Sequence, residues 1–184
     1  MKTKHWYVSF VVLTGMLSGC ASITKDANQP VQIETYSKNN QLVTGAKCVA
    51  KNERGEWFTT STGIVNVHRS GQNLLVTCDK AGEETGNATV ISRANGGMFG
   101  NILLGGGIGA IIDHNKGTAY SYPDWIRIIL GESLVFDRKN NKDNEVMLGQ
   151  KASPEDLKKI ETAKLAEEKA AQEKALAEAG KVTP

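Results

Sequence analysis

A cysteine stands close to the amino terminus, next to a segment with the features of an export signal. The chain starts with the basic residues Lys2 and Lys4, continues with a mostly apolar run over 6–16, and reaches small residues before Cys20. A basic start, a short apolar core and small residues before a cut site are typical of a secretory signal peptide. The thiol that could do chemistry here is therefore predicted to act outside the cytosol.

The four residues Leu17-Ser18-Gly19-Cys20 resemble the lipobox of bacterial lipoproteins. The resemblance implies that residues 1–19 are cut off, that the Cys20 thiol carries long acyl chains such as palmitate, and that the new amine is usually acylated as well. Ala21 stands where enterobacterial relatives retained in the inner membrane usually have Asp. The resemblance thus implies an outer-membrane lipoprotein that faces the periplasm or the cell surface. There are two alternatives. One is an ordinary signal peptide that happens to be followed by a cysteine, and the other is a short membrane anchor.

Cys48 and Cys78 are the other two cysteines, and we predict that they form a disulfide. With Cys20 assigned to lipid, they remain as an even pair outside the cytosol, where disulfides persist. Closing their loop of about thirty residues stabilises a fold by about 3 to 4 kcal/mol on the chain-entropy estimate. Two buried free thiols are the alternative. No metal site is expected, because neither His68 nor His114 stands at ligand spacing from a cysteine.

Motifs for catalysis or cofactor binding are not recognised in the sequence. The glycines from Gly105 onward do not meet the G-x-G-x-x-G spacing, since Ala110 occupies the last position. A Ser/His/Asp hydrolase needs a base that is held by a third group. His68 follows Val67 on a predicted strand and is expected to face outward as a surface side chain. We therefore expect a protein that is not an enzyme and uses no cofactor.

Charge gives no reason to expect nucleic acid as a partner. The formal net charge is +2, and Lys2 and Lys4 in the signal peptide account for all of it. A near-neutral mature chain lacks the basic surface that binds nucleic acid or anionic lipid. Membrane attachment is therefore expected through the acyl chains alone, at about 0.8 kcal/mol for each buried methylene.

Short strands separated by turn residues dominate the first half of the mature chain. Apolar and polar residues alternate along them, and Asn52-Glu53-Arg54-Gly55 is predicted to be a turn. This punctuation favours a small antiparallel β-sandwich over a parallel sheet with crossover helices. Five strands are predicted here, over 31–36, 46–51, 57–60, 64–68 and 74–78.

The order of several residues in these strands resembles PEGA-like surface domains, which are small β-sandwich modules of bacterial envelope proteins. The resemblance lies in Gly45-Ala46-x-Cys48, Trp57, Gly63-x-Val65-x-Val67 and Leu75-Val76-x-Cys78-x-Lys80-x-Gly82. The glycine-rich segment and the strand that follows it resemble a recurring feature of uncharacterised proteobacterial lipoproteins that also carry a PEGA-like part. The resemblance implies a β-sandwich at the cell envelope.

The glycine-rich segment 96–112 combines seven glycines with mainly apolar residues. Glycine inside a helix costs about 1 kcal/mol relative to alanine, so such a helix needs close packing in return. Gly105 and Gly109 are four residues apart and would share one helical face, where another backbone could approach. The run is shorter than the ~20 residues of a membrane-spanning helix. A short helix or loop against the sandwich is predicted, with a partner helix or the membrane interface as the alternative contact.

Two further strands are predicted over 125–130 and 134–136, which complete a β domain over 31–137. Residues 20–30 precede this domain and are predicted to be a tether, because they are mostly polar and show no periodicity. A polar linker over 138–152 follows it.

The last element is predicted to be a charged, alanine-rich helix over 153–180. Ser153 provides the N-cap, Pro154 the first helical position, and Gly180 the end. Its apolar residues do not sustain a heptad, so the helix is expected to be largely solvated. A spacer or a weak docking arm is the alternative.

These features predict a non-enzymatic envelope lipoprotein with a structural or interaction role. Its expected partners are the membrane, through the lipid anchor, and an envelope protein. A periplasmic domain that binds carbohydrate or peptidoglycan is the alternative, because Trp57, Trp125, Tyr120 and Tyr122 offer aromatic platforms.

Overall fold

The computed structural model describes residues 26–94, 117–140 and 145–179. Within these ranges the chain is mainly β, with twelve strands, a short 3-10 turn and one α-helix. The fold class predicted from the sequence is confirmed. The elements are β1 (Asn28–Tyr36), β2 (Lys47–Asn52), β3 (Gly55–Thr60), β4 (Gly63–His68), β5 (Leu74–Asp79), β6 (Gly86–Val90), β7 (Arg93–Ala94), β8 (Tyr120–Ser121), β9 (Trp125–Ile129), β10 (Ser133–Phe136), the 3-10 turn (Arg138–Asn140), β11 (Met147–Leu148), β12 (Gln150–Lys151) and α1 (Pro154–Ala179).

Two sheets face each other in the sandwich. The first has four strands in the order β11–β9–β1–β4, and the second has six in the order β12–β10–β6–β5–β2–β3. Strands from the first half of the chain pair antiparallel, as predicted. Strands from the second half add parallel neighbours, since β9 lies beside β1, β10 beside β6 and β11 beside β9. The sheets are therefore mixed.

Side chains that alternate along the strands fill the space between the two sheets. In β5, for example, Leu74, Val76 and Cys78 are buried while Leu75 and Asp79 are exposed. Period-two burial is what a strand with one covered face requires. The two inner faces build one apolar core, whose buried members are Val31, Ile33, Cys48, Ala50, Val65, Val67, Leu74, Val76, Cys78, Ala88, Val90, Tyr122, Ile126, Ile128, Leu130, Leu134, Phe136 and Met147.

Cys48 and Cys78 lie directly opposite each other on the adjacent strands β2 and β5. Their Sγ atoms are 2.06 Å apart, which is disulfide distance, and both side chains are buried in the core. The predicted pairing of these two cysteines is confirmed.

Two predicted boundaries differ from the structure. β1 begins at Asn28, within the predicted tether 20–30, because Gln29 is buried at the end of the sandwich. β11 and β12 lie within the predicted linker 138–152 and form the outermost strands of the two sheets. Among the described residues of this largely polar linker, Met147 contributes a buried apolar side chain to the core.

Helix α1 begins where the sequence predicts. Asp156 N donates to Ser153 Oγ at 3.2 Å, and Ser153 N donates to Asp156 Oδ2 at 3.0 Å, so the two residues cap the first turn reciprocally. Most described side chains of α1 are exposed, but Lys164 and Ala175 are buried. In the described ranges we find no helix that is both long and apolar enough to cross a membrane.

Candidate functional site

The strands that precede and follow residues 95–116 lie side by side as an antiparallel pair. β7 and β8 pair antiparallel, with Arg93 opposite Ser121 and Ala94 opposite Tyr120. We call this two-stranded pair the stem. Residues 95–116 lie outside the described ranges. The stem connects them to β6, which precedes them in the chain, and to β9, which follows them.

Arg69 anchors the stem from the turn between β4 and β5. Its Nη1 donates to Tyr120 O at 2.9 Å, to Ser121 Oγ at 2.7 Å and to Gln29 Oε1 at 2.8 Å. Its Nε donates to Asp26 O at 2.9 Å. Arg69 is only 8% exposed, so these acceptors replace the water that the guanidinium would otherwise bind. One buried side chain thus connects β8, β1 and the chain just before β1.

Gln29 continues this network beyond the stem. Its Nε2 donates to Tyr122 O at 2.7 Å and also contacts Asp124 Oδ1, while its Oε1 accepts from Tyr122 N at 3.0 Å. Gln29 is 1% exposed. The segment between β8 and β9 is therefore held against β1 by hydrogen bonds to one amide side chain. A buried amide whose oxygen and nitrogen are both paired fixes its neighbours in one arrangement.

Tyr122 completes the network inside the core. Its hydroxyl donates to Gln72 O at 2.8 Å and accepts from Asn52 Nδ2 at 3.0 Å. Burial raises the pKa of Tyr122 to about 12, although the hydrogen bond from Asn52 acts in the opposite direction. The hydroxyl stays protonated at neutral pH and keeps its role as a donor. We call Arg69, Gln29, Asn52 and Tyr122 the Arg69 cluster.

A second arginine clamps the other strand of the stem. Arg93 Nε donates to Asp137 Oδ1 at 3.0 Å, and Arg93 Nη2 donates to Asp137 Oδ2 at 2.6 Å. The side chains of Arg93 and Asp137 are 13% and 23% exposed. Two parallel bonds between a guanidinium and a carboxylate fix orientation as well as distance. Because Asp137 directly follows β10, this pair ties β7 to the six-stranded sheet.

Gly117 shows how closely the returning chain approaches this anchor. Its φ is +77°, and a Cβ atom on it would lie 2.0 Å from Arg69 O. Only glycine combines that backbone angle with that approach. The backbone at Gly117 therefore packs directly against the turn that carries Arg69.

The outer face of the four-stranded sheet carries a second group of polar and aromatic side chains. The Arg127 guanidinium lies 4.1 Å from the centre of the Tyr36 ring, and its Nη2 is 3.5 Å from Glu34 Oε2. Trp125 stands two residues earlier on the same face of β9 and is half-buried. The Nε1 atom of Trp125 has no hydrogen-bond partner among the described residues. A cation–π contact and an ion pair thus order this face.

The structure places the predicted interaction residues in different environments. Trp125 lies on the outer face just described, whereas Trp57 packs against the core from β3. Tyr122 is fully buried, so its prediction as an aromatic platform is wrong, and the same holds for Tyr120, which is 4% exposed. The Tyr122 hydroxyl and the backbone oxygens of both residues are hydrogen-bonded within the fold instead. His68 is half-buried on β4, opposite in direction to the buried Val67, as expected.

Some predicted residues lie outside the described ranges, namely Cys20, Gly105 and Gly109. Conversely, sequence reasoning missed Arg69, Gln29, Arg93 and Asp137. No local signal marks them, because their partners are distant in the chain. Among the described residues there is no group of three or more His, Cys, Asp or Glu side chains that could hold a metal ion.

Comparisons with known proteins add no relative to this picture. No family model, no curated protein and no solved structure matches the chain. The likeness to lipoproteins and to PEGA-like domains therefore stays a prediction from the sequence.

Proposed function

We propose that this protein is a non-enzymatic envelope lipoprotein whose β-sandwich presents residues 95–116 to a protein partner. Cys20 would carry the acyl chains that attach the mature chain to the outer membrane. The single observation that supports the presenting role most is the stem, whose two strands are clamped by Arg69 and by Arg93 with Asp137. A segment on a rigid scaffold is the usual place for binding functions in folded domains.

The chemistry of the presented segment indicates the kind of partner. Between its glycines the segment has mainly Ile, Leu, Met and Phe, and it contains few charges. Glycine lets two backbones approach closely, so Gly105 and Gly109 suit close packing against an apolar surface, such as a helix of an envelope protein. Anchoring both ends lowers the conformational entropy that the segment loses when it binds.

The proposal can be tested by photo-crosslinking in whole cells. A photoreactive amino acid at Ile108 should give a discrete protein adduct, and one at Glu56, which is exposed on β3, should not. Replacing Arg69 by Gln should remove the Ile108 adduct, since the stem loses its anchor. The matched change Arg54→Gln, at a surface position, should leave it in place. An adduct that is indifferent to Arg69→Gln, or equal yields from both positions, would argue against presentation by the stem.

The lipid anchor has its own test. Mass spectrometry of the mature amino terminus should find Cys20 with acyl chains, and Cys20→Ser should block processing. An unmodified Cys20, or cleavage at another bond, would contradict this part of the proposal without affecting the stem.

A second candidate function is binding of peptidoglycan or another carbohydrate, and the outer face around Trp125 favours it. The half-buried Trp125 ring lies beside the paired Arg127 and Glu34, so this face offers part of an aromatic ring for stacking and polar groups for sugar hydroxyls. Co-sedimentation with purified peptidoglycan tests this candidate. Trp125→Ala should abolish binding, whereas Trp57→Ala, on the core side of the other sheet, should not. If the wild-type chain stays in the supernatant, this candidate fails.

A further inference from the structure

The C-terminal helix contacts the body of the protein through one face with charged residues at its centre. Its less exposed side chains are spaced four and three residues apart and so lie on one side of α1. They are Leu157, Glu161, Lys164, Glu168, Ala171 and Ala175. The other described side chains of α1 are exposed. Three of these six described side chains are charged and two are alanines, so the six together bury little apolar surface.

Lys164 makes the central contact of this face. Its Nζ donates to Gly71 O at 2.8 Å and lies 3.6 Å from Glu161 Oε1, and the side chain is 2% exposed. Glu161 in turn accepts from Asn73 Nδ2 at 3.4 Å. A buried ammonium group needs acceptors in place of water, and a carbonyl oxygen and a nearby carboxylate supply them here. The contacts that Lys164 and Glu161 make outside the helix both fall on the turn between β4 and β5.

The same turn supports the stem. Arg69, two residues before Gly71, holds Tyr120 and Ser121. Gly71 itself packs against the stem, because a Cβ atom on it would lie 3.1 Å from Cζ of Tyr120. The turn is therefore in contact with both α1 and the stem.

Helix α1 does not need this contact to remain helical. It has 26 residues rich in Ala, Glu and Lys, with a complete N-terminal cap. That length and composition exceed the ~12–15 residues below which isolated helices are marginal. Detaching α1 would thus break the contacts of Lys164 and Glu161 with the turn between β4 and β5 without unfolding the helix.

We propose that α1 is a reversible strap, which braces the stem while Lys164 is seated on Gly71 O and loosens the stem when it detaches. The strap links the C-terminal helix to the region that holds both ends of residues 95–116. This coupling does not depend on what those residues bind.

The test is a distance measurement on the full-length chain. Spin-labelled unnatural amino acids are introduced at Gln172 on α1 and at Glu56 on β3, which are both exposed. The wild-type chain should give one narrow distance. Lys164→Glu removes the donor and places a second carboxylate beside Glu161, so the detached fraction should rise roughly 10- to 100-fold. Lys164→Ala should give a smaller rise.

Lys169→Glu is the matched control, since it makes the same charge change at an exposed position of the same helix. It should keep the narrow distance. Amide hydrogen exchange provides the second readout: in Lys164→Glu, exchange at Ala94 and Ser121 of the stem should speed up, while exchange at Val65 in the core stays slow. A narrow distance in Lys164→Glu, equal broadening in Lys169→Glu, or release of the helix with unchanged exchange in the stem would overturn the strap.

Discussion

The apolar core between the two sheets and the Arg69 cluster beside the stem are both buried, but different interactions stabilise them. Apolar side chains fill the inter-sheet core, where contacts are non-directional and alternative apolar shapes are tolerated. At the stem end, the Arg69 cluster supplies directed hydrogen bonds among charged and amide groups. The core therefore supplies most of the stability of the fold, whereas the cluster fixes the positions of the strands on either side of residues 95–116.

The largest effect is expected in the core. Phe136→Ala should lower the free energy of unfolding by about 3 to 5 kcal/mol, because it removes a fully buried ring and leaves a cavity. Phe58→Ala is the control, since that ring is 73% exposed, and it should change stability by less than about 0.5 kcal/mol. Chemical denaturation of the soluble, unlipidated chain measures both. Equal effects would mean that the core is not where the structure puts it.

Conservative substitutions should separate the two regions more sharply. Arg69→Lys should cost about 2 to 3 kcal/mol, because an ammonium group cannot reproduce the donors that Arg69 Nη1 and Nε aim in two directions. Ile126→Leu keeps the volume of a fully buried core residue and should cost less than about 1.5 kcal/mol. If the order of these two costs is reversed in denaturation experiments, the directional character assigned to the cluster is wrong.

High pH should weaken the Arg69 cluster through Tyr122, whose side chain is also part of the apolar core. The folded state raises the pKa of Tyr122 to about 12 through burial, above the value of 10.0 for an unperturbed tyrosine. The folded state therefore holds the proton more tightly, so this contribution is complete below pH 10 and is lost as pH rises towards 12. The loss should be about 2 kcal/mol.

Tyr122→Phe provides the control for this pH dependence. It removes one titrating hydroxyl, so the decline between pH 10 and 12 should become shallower. A remainder should persist, because burial also raises the pKa of Tyr120 to about 12. An unchanged decline in the variant would exclude Tyr122 as its source.

The smallest effect is expected at the start of α1, away from both regions. Ser153→Ala removes the N-cap oxygen that accepts from Asp156 N and should cost about 1 kcal/mol of local helix stability. Amide exchange in the first turn should rise, while exchange in the core strands stays the same. Faster exchange throughout the sandwich would instead show that the cap supports the whole domain.

The sequence predicts features that depend on local patterns better than features that depend on contacts between distant segments. Alternation and turn residues are local signals, and they predict β2, β4 and β5 nearly to the residue. The Ser153 cap is predicted for the same reason. The parallel pairing of β9 with β1 is not predicted, because the residue pattern of a strand does not determine which strand lies beside it.

The candidate site is harder to predict than the fold. Arg69 follows a strand and precedes Ser70-Gly71, a context that is equally typical of an exposed turn. The sequence predicts Tyr122 as one of four aromatic platforms for a carbohydrate, but the side chain is fully buried. Its burial depends on Gln72 and Asn52, which meet it only in the folded chain. Side-chain hydrogen bonds between distant segments leave no periodic trace in a sequence.

The parallel pairing of β1 and β9 also has a consequence for the order in which the protein is made. Gln32 pairs with Trp125, so one of the first strands to be synthesised waits for one of the later ones. Among the described strands, β4 is the sheet neighbour that β1 can pair with until residue 129 has emerged. Contacts between such distant positions close long loops and slow folding. The nascent chain therefore reaches its native sheets late, after residues 95–116 have already been synthesised.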